Sequence, residues 1–258
     1  MRRMNRIFSD DGKAVIIAMD HGIMFDVLPD FENPAELFKK IIAGGADAIL
    51  TTYGLAKNYE DTLKDIPLFI RADGGNTDFN RVRGGKLLYT VSDCLKLGAE
   101  GITVMGFPGE ENENRTLENI AQLASETDEW NVPLMAEMLP AGFSDKLENN
   151  YENIKFAVRL GGELGADIIK TAYTGNVNEF KKIVKGSLAP VVVLGGSKQD
   201  DYLGVLKNIE EAVSAGASGV TIGRNVWKSK DPEKMTRALV DIIHNDYTAE
   251  RAVEKQNL

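Results

Sequence analysis

The stretch LGADII at residues 164–169 recurs in outline three more times, as AGGADAI (43–49), LGAEGI (97–102) and AGASGV (215–220). Each copy leaves an amphipathic segment through a Gly-Ala pair and enters a short apolar run. Glycine suits the left-handed position that ends a helix, so each copy predicts a short turn from a helix into a strand. Gly-Ala pairs are common in any α/β protein, but four copies with the same flanks indicate serial βα units.

Short apolar runs separated by helix-length segments predict a parallel sheet. The predicted strands are Ala14–Met19, Ala48–Thr52, Leu68–Ala72, Gly101–Met105, Val132–Met138, Asp167–Thr171, Pro190–Leu194 and Gly219–Ile222. The predicted helices between them are Pro34–Ala43, Tyr89–Leu97, Leu117–Glu129, Asn150–Leu164, Val177–Val184, Tyr202–Ala215 and Pro232–His244. Eight strands in 258 residues favour a closed (β/α)8 TIM barrel over a doubly wound sheet.

No Pro- or Ser-rich linker interrupts the chain. We therefore expect a single barrel domain over residues 1–258, with a short N-terminal segment at 1–13 and a tail helix within 246–258. The N-terminal sequence MRRMNRIFSDDGK has no apolar region behind it, so we expect no signal peptide. The early apolar run Ala14–Met19 is far shorter than the ~18 residues that a membrane helix needs.

Charge and composition argue against several classes of partner and site. Thirty Lys and Arg against 39 Asp and Glu give a net charge of −9, which argues against a nucleic-acid or membrane partner. One cysteine, Cys94, cannot form an intrachain disulfide, which predicts a reducing, cytoplasmic location. His21 and His244 are the only histidines, so a zinc site is disfavoured, while oxygen-ligated Mg²⁺ stays open. We expect no bound metal and no cofactor.

A barrel of this kind carries its chemistry where the strands end. Lys170 stands in the apolar strand of ADIIKTAYTGN. If Ile168 points into the lumen, strand alternation places Lys170 there too. Burial favours the neutral amine, the form that a Schiff-base nucleophile needs. The alternative is a lysine that reaches solvent from the end of the strand.

Two carboxylates lie at matching heights. Asp20 ends the first predicted strand, and Glu137 lies near the end of the fifth. An outward Glu137 would meet the apolar helix layer, so the lumen is the less costly place for its charge. Because the fifth and sixth strands neighbour each other in a serial barrel, Glu137 is expected to approach Lys170 and to act in proton transfer. The alternatives are a surface loop residue or a structural ion-pair partner.

The last two predicted strands end in glycine turns, VVVLGGSK (191–198) and VTIGRN (220–225). Glycine lets backbone N–H groups approach an oxyanion, and the loops after the seventh and eighth strands are the usual phosphate site of this fold. Lys198 and Arg224 supply cations. The two turns, with Gly195, Gly196, Gly223 and Arg224, predict a phosphate site.

Other candidates have two interpretations each. Arg71 and Asp73 either bind a polar tail of the substrate or form a structural salt bridge. Tyr173 either donates its hydroxyl to the substrate or packs a loop. His21 either binds substrate beside Asp20 or is structural. Three further residues, Cys94, Trp130 and Trp227, are expected to be packing residues.

Several segments together resemble the archaeal-type class I aldolases, which form Schiff bases. They are RIF (6–8), MDHG (19–22), LGADIIKTAYTG (164–175), APVVVLGGSK (189–198) and IGRNVW (222–227). The family includes fructose-bisphosphate aldolase, the aldol-forming synthase of archaeal aromatic amino-acid biosynthesis and the thiolase of phosphorylated autoinducer-2. The resemblance implies that Lys170 forms the imine, that Asp20 is a catalytic or substrate-binding carboxylate, and that the chain assembles as a homo-oligomer, commonly a decameric ring. It also adds Ser197 to the predicted phosphate site.

The chain departs from the family pattern at one important place. Aldolases and synthases of the family usually carry Tyr-Pro-Arg-Gly after the fifth strand, with the tyrosine transferring a proton, and here the segment is Leu139-Pro140-Ala141-Gly142. Because leucine transfers no proton, either Glu137 takes that role or the reaction differs. We therefore expect cleavage or formation of a C–C bond in a ketose phosphate. The rivals are a sister synthase or thiolase, a phosphosugar isomerase, and a non-catalytic binding barrel.

Overall fold

The computed structural model describes residues 1–24, 27–28, 32–74, 77, 85–144 and 146–258. Eight parallel strands close into a barrel, and helices lie between successive strands. The described residues form ten strands: β1 Ala14–Ala18, β2 Ala48–Thr51, β3 Leu68–Arg71, β4 Asp73–Gly74, β5 Lys86–Leu87, β6 Gly101–Gly106, β7 Leu134–Met138, β8 Ile168–Thr171, β9 Val191–Leu194 and β10 Gly219–Ile222. The predicted TIM barrel is therefore confirmed.

Around the barrel the strand order is β1-β10-β9-β8-β7-β6-β3-β2, and β2 pairs with β1 to close it. The remaining two strands, β4 and β5, form a small antiparallel hairpin above the end of β3. Each strand of that hairpin has two residues, which is too short to produce a periodic signal in the sequence.

The helices are α1 Met4–Ile7, α2 Pro34–Ala43, α3 Tyr53–Asn58, α4 Glu60–Leu63, α5 Val91–Leu95, α6 Glu113–Trp130, α7 Tyr151–Glu163, α8 Val177–Gly186, α9 Tyr202–Ser214, α10 Arg224–Trp227, α11 Pro232–Asn245 and α12 Ala249–Gln256. All seven predicted helices are present, although the one expected at Tyr89–Leu97 is reduced to α5. The four helices α1, α3, α4 and α10 were not predicted, because helices of four to six residues show too little of an apolar period. The predicted tail helix corresponds to α12.

The four repeated Gly-Ala turns adopt the predicted backbone. Their glycines have positive φ angles of 93° at Gly45, 77° at Gly98, 96° at Gly165 and 101° at Gly216. A residue with a Cβ rarely adopts this conformation, so glycine is required where each helix turns back into the barrel.

Two large buried clusters fill most of the interior. One fills the lumen with alternate strand residues, among them Ile16, Leu50, Phe69 and Ile168. The other joins the outward residues of the strands to the helices. At the N-terminal end of the barrel, fully buried Ile7 of α1 belongs to the lumen cluster. The lumen is therefore a packed core that supports a site at the opposite end.

Among the described residues, no helix is both long and apolar enough to cross a membrane.

Candidate active site

Lys170 and Glu137 meet inside the upper end of the barrel. They are paired in register on β8 and β7, and Ile168 below Lys170 belongs to the lumen cluster. The Nζ atom of Lys170 lies 2.8 Å from Oε1 of Glu137, and both residues are buried. The predicted approach of the two side chains is confirmed, since strand alternation directs both into the lumen.

Arg71 at the end of β3 joins this pair to two more carboxylates. Its side chain is fully buried, and its Nη2 atom lies 2.5 Å from Oε2 of Glu137. Its Nε donates to Oδ2 of Asp20 at 2.7 Å, and its Nη1 donates to Oδ1 of Asp73 at 3.4 Å. One guanidinium therefore fixes three acidic side chains from three parts of the barrel.

The charges of this network shift the pKa values of its members. Burial alone would raise the pKa of Asp20, but attraction to Arg71 outweighs it and lowers that pKa to about 2. Burial also opposes ionisation of Glu137, yet the charges of Lys170 and Arg71 hold its pKa below the usual value. Burial dominates at Asp73 and raises its pKa despite the contact with Arg71. Asp20 and Glu137 are therefore anionic at neutral pH.

Asp73 acts within the protein framework in this structure. Its Oδ2 atom accepts a hydrogen bond from the backbone N–H of Met105 on β6, at 3.1 Å. Together with the contact to Arg71, this ties the β4–β5 hairpin to the barrel strands. These contacts are those of a structural salt bridge, one of the two interpretations that the sequence allowed.

A cavity of about 200 Å³ opens above Lys170. Its deep end contains Asp20, Arg71, Glu137 and Lys170. Its walls differ in chemistry. The wall above β9 and β10 is the more polar one: Gly195, Gly196, Gly223 and Arg224 line it with Thr221 and Leu194, and His21, which follows β1, lies beside Gly223. The wall above β6 and β7 is largely apolar: Met105, Leu139 and Phe143 line it beside the polar Asn149, and Met24, from the segment after β1, packs against it.

A family model described as DeoC/LacD family aldolase matches residues 14–229, the part of the chain that forms the whole barrel and this cavity. The chain belongs to the DeoC/LacD aldolase family. It is similar to the 2-amino-3,7-dideoxy-D-threo-hept-6-ulosonate synthase of Halobacterium salinarum, with 31% identity over 256 residues, 99% of this chain and 96% of that one. It is also similar to the class 1 fructose-bisphosphate aldolase of Thermoproteus tenax, with 31% identity over 245 residues, 93% of this chain and 92% of that one.

Among solved structures, an archaeal fructose-1,6-bisphosphate aldolase superposes with a TM-score of 0.85 and 30% identity, over 94% of this chain and 98% of that one. In that structure the catalytic lysine is covalently bound to the carbinolamine intermediate of the substrate. The present chain is thus an aldolase of the Schiff-base class by family and by fold.

Gly223 lets the aldolase pack its polar wall tightly. A Cβ atom at Gly223 would lie 2.5 Å from the carbonyl oxygen of Ala18 and 2.5 Å from Cε1 of His21. The indole Nε1 of Trp227 donates to that same carbonyl at 3.0 Å, and its ring meets His21 edge-on with centroids 5.3 Å apart. Burial lowers the pKa of His21. His21 is therefore held by the end of β1 and by Trp227 while it faces the cavity.

Asn225 joins the two glycine turns of the aldolase, a role that the sequence analysis did not recognise. Its Nδ2 donates to the carbonyl oxygens of Gly195 at 2.7 Å and Ser197 at 3.0 Å. Its Oδ1 accepts from the backbone N–H of Gln199 at 2.8 Å. The side chain is fully buried, so these bonds fix the turn after β9 against the turn after β10. Its position next to Arg224 was the one available signal in the sequence.

Two predicted phosphate residues of the aldolase lie outside the cavity lining. Ser197 is exposed, and its described contact is the carbonyl that accepts from Asn225. Lys198 donates to the carbonyl of Gln199, pairs with Asp200 at 3.3 Å and lies over the ring of Tyr202. The expectation that Lys198 supplies a cation to the site does not hold in this structure, because local contacts turn it back onto its own loop.

The remaining candidates have structural positions. The Tyr173 hydroxyl donates to Oε2 of Glu211 at 2.9 Å, and the ring packs against Phe180 on the helix side of the barrel, so Tyr173 packs a loop. Cys94 is fully buried, and burial raises the pKa of its thiol to about 12. Trp130 was expected to be a packing residue, and this was wrong, because it ends α6 with 56% of its surface exposed. Within the described part of the chain, no group of three His, Cys, Asp or Glu side chains is arranged to hold a metal ion.

Proposed function

We propose that the protein is a class I aldolase that cleaves or forms a carbon–carbon bond in a ketose phosphate through an iminium on Lys170. The observation that carries the proposal is the buried Lys170–Glu137 pair, 2.8 Å apart, at the deep end of a cavity with a glycine-lined wall. A Schiff-base nucleophile needs an amine beside a group that accepts its proton, and this pair provides both.

The first step is formation of the imine. Glu137 takes a proton from the ammonium group of Lys170, and the free amine adds to the substrate carbonyl to give a carbinolamine. The carbinolamine loses water, with protonation of its departing hydroxyl, to give the iminium. Asp20 stays anionic because its pKa is about 2, so it supplies fixed negative charge near the cationic iminium.

The second step is cleavage. A base removes the proton from the hydroxyl on the carbon β to the iminium carbon, the C–C bond breaks, and its electron pair moves into the iminium to form an enamine. An aldehyde leaves, the enamine is protonated on carbon, and water hydrolyses the resulting iminium. Glu137 is the better placed base. Asp20 is held by two guanidinium nitrogens of Arg71 and has the lower affinity for a proton.

The polar wall provides the phosphate subsite in this proposal. Gly195, Gly196 and Gly223 expose backbone beside the cavity, and Arg224 adds a cation on the same side. Holding the phosphate there would position the carbonyl over Lys170, and such positioning contributes about 7–11 kcal/mol to a barrier in favourable cases. Ser197 remains a candidate only for backbone contact, since its side chain faces solvent.

A sister synthase or thiolase reaction has one observation in its favour. Leu139 lines the cavity at the position where the family's aldolases and synthases usually carry a proton-transferring tyrosine. A reaction that needs no proton from this position would use the same lysine. If fructose 1,6-bisphosphate is the substrate, the reaction belongs to glycolysis. A panel of phosphorylated ketones and diketones distinguishes these reactions by their products.

The proposal extends to the cellular form of the protein. We propose a cytoplasmic homo-oligomer whose subunit is one barrel domain over residues 1–258. The single cysteine supports a reducing compartment. Three exposed apolar side chains, Trp130, Phe156 and Leu188, with 56%, 61% and 56% of their surface exposed, support contacts between subunits.

Borohydride trapping tests the central claim. The enzyme is incubated with dihydroxyacetone phosphate or fructose 1,6-bisphosphate, reduced, digested and analysed by peptide mass spectrometry. We expect a reduced adduct on the Lys170 peptide that is absent in Lys170→Ala and retained in Lys198→Ala, a matched lysine outside the cavity. Failure to trap any member of a wider carbonyl panel would contradict the proposal and favour an isomerase or a binding barrel.

A further inference from the structure

The cavity above Lys170 is asymmetric in a way that bears on the substrate. Lys170 on β8 stands between the polar wall above β9 and β10 and the apolar wall above β6 and β7. A ketose phosphate that binds its phosphate at the polar wall and its carbonyl at Lys170 must extend the rest of its carbon chain toward the apolar wall. That chain passes Glu137, which lies on β7 between Lys170 and Leu139.

The apolar wall is a packed cluster. Met24, Met105, Phe107 and Leu139 form it, each with at most 9% of its surface exposed. Phe143 extends it to the cavity mouth and packs edge-on against Phe107, with ring centroids 5.5 Å apart. Binding of a hydrocarbon group to a surface of this kind is favourable, whereas binding of a charged group is unfavourable because the charge loses its hydration.

None of the cationic side chains in the described cavity lining belongs to the apolar wall. They are Arg71, Lys170 and Arg224. Arg71 is held by three carboxylates, Lys170 is the nucleophile, and Arg224 belongs to the opposite, polar wall. Among the described lining residues, a phosphate at the far end of the substrate would therefore meet thioether, leucine and phenyl groups and the amide of Asn149 rather than a cation.

The rim behind the apolar wall holds an ion pair between Glu110 and Lys146. A Cβ atom at Gly142 would lie 3.2 Å from the Phe107 ring and 3.5 Å from Cγ of Glu110, so this carboxylate stands directly behind the wall. The hydrogen bond from Ser144 lowers the pKa of Glu110, which keeps it ionised, while Lys146 faces it from solvent at 3.4 Å. Lys146 balances the charge of Glu110, so the pair offers no net positive charge to a second phosphate.

We infer that the aldehyde partner of this enzyme is short, uncharged and apolar at its far end, and that glyceraldehyde 3-phosphate is a poor partner. The inference rests on the proposed function and specifies the half of the substrate that leaves as aldehyde. The ketose is then a monophosphate that carries an alkyl end. Phe143 and Leu139 determine this specificity through contact with that end.

The test is aldol addition with dihydroxyacetone phosphate as donor and acetaldehyde, propanal, butanal or glyceraldehyde 3-phosphate as acceptor. Product formation is followed by mass spectrometry, and trapping on Lys170 with the donor alone is run in parallel. We expect kcat/KM to rise about fourfold from acetaldehyde to propanal, as for one buried methylene group. We expect propanal to exceed glyceraldehyde 3-phosphate by at least about tenfold, because a phosphate dianion loses its hydration against this wall.

Phe143→Ala should flatten the dependence of kcat/KM on the chain length of the aldehyde. Phe156→Ala is the matched control, because Phe156 is exposed on α7 and lies outside the cavity lining. A normal Lys170 adduct together with a preference for glyceraldehyde 3-phosphate would overturn the inference and leave the proposed function standing. The absence of an adduct with any carbonyl would overturn both.

Discussion

Lys170 and Glu137 occupy facing positions on neighbouring strands, with Nζ and Oε1 2.8 Å apart, and the other oxygen of Glu137 is bound by Arg71. The carboxylate therefore has one oxygen for the reacting amine and one that fixes its orientation. A carboxylate held in this way rarely turns its free oxygen away from the amine. This favours repeated proton transfer at a single site.

Glu137→Gln should lower kcat by about 10²- to 10⁴-fold, because the amide keeps the shape but accepts no proton from the amine or the substrate hydroxyl. Steady-state kinetics with the trapped ketose phosphate provide the measurement. Glu211→Gln is the control, since Glu211 contacts Tyr173 on the helix side. Near-normal turnover of Glu137→Gln would remove Glu137 from proton transfer.

Asp20→Asn should destabilise the protein by about 3 kcal/mol at pH 7, because Arg71 would stay buried with one charged partner fewer. The folded pKa of Asp20, about 2, lies below its unfolded value. Its contribution to stability is therefore complete above about pH 4 and is lost as the pH falls toward 2. Urea denaturation at several pH values should show the deficit narrowing below about pH 4, with exposed Asp65→Asn as control. A deficit independent of pH would contradict this origin.

Asn225→Ala should cost about 3 kcal/mol, since three buried hydrogen bonds are lost at about 1 kcal/mol each. Because the bonds fix one glycine turn against the other, affinity for inorganic phosphate should fall at least about tenfold. Thermal unfolding and calorimetric titration measure the two effects. Asn58→Ala, which removes one exposed bond to Gly54, should change neither by much. If the Asn225 variant kept its affinity for phosphate, the two glycine turns would not be the phosphate site.

Gly223→Ala should raise KM for phosphorylated donors by about tenfold or more, because the new methyl group would displace Ala18 or His21 at the polar wall. The comparison is Gly54→Ala, where a Cβ meets no atom within 4 Å and where alanine suits the helix. Initial-rate kinetics of both variants give the result. An unchanged KM in Gly223→Ala would show that the phosphate is held elsewhere.

His244 offers a test at the other end of the barrel. Its Nδ1 and Nε2 atoms lie 2.9 Å from carboxylates of Asp11 and Asp47. The hydrogen bond to Asp47 raises the pKa of His244, against the opposing effect of burial. The resulting stability is complete below the unfolded pKa of about 6.5 and is lost as the pH rises through the raised folded value. Wild type and His244→Gln should therefore converge in urea denaturation between pH 6 and 9, and a constant difference would contradict the linkage.

The repeats and the alternation of strand residues were enough to predict the barrel and the inward direction of Lys170. The contact with Glu137 followed from strand order, because consecutive strands are neighbours in a serial barrel. The contacts of Arg71 did not follow, since its strand β3 is separated from β7 by β6 and from β1 by β2. Contacts across a lumen depend on the length of each side chain and on its position along the barrel axis, and a local sequence pattern gives neither for two distant strands.

The direction of loop side chains was the other gap. Tyr173 stands three residues after Lys170, yet its hydroxyl bonds to Glu211 outside the barrel. Lys198 follows a glycine turn and folds back onto its own loop. Asn225 looked ordinary beside Arg224, although it joins two loops whose proximity exists only after the barrel closes. Residue type alone does not separate these three outcomes.

Ile7 and the packed lumen close the barrel below Lys170, and this affects the order in which the products leave. Substrate and products therefore reach and leave Lys170 through the cavity mouth, which lies between the two glycine turns and the apolar wall. While the aldehyde occupies that mouth, it shields the enamine from water, and hydrolysis waits for its departure. The reaction should therefore release its products in a strict sequence, aldehyde first and phosphorylated ketone last, with the ketone bound covalently in the interval.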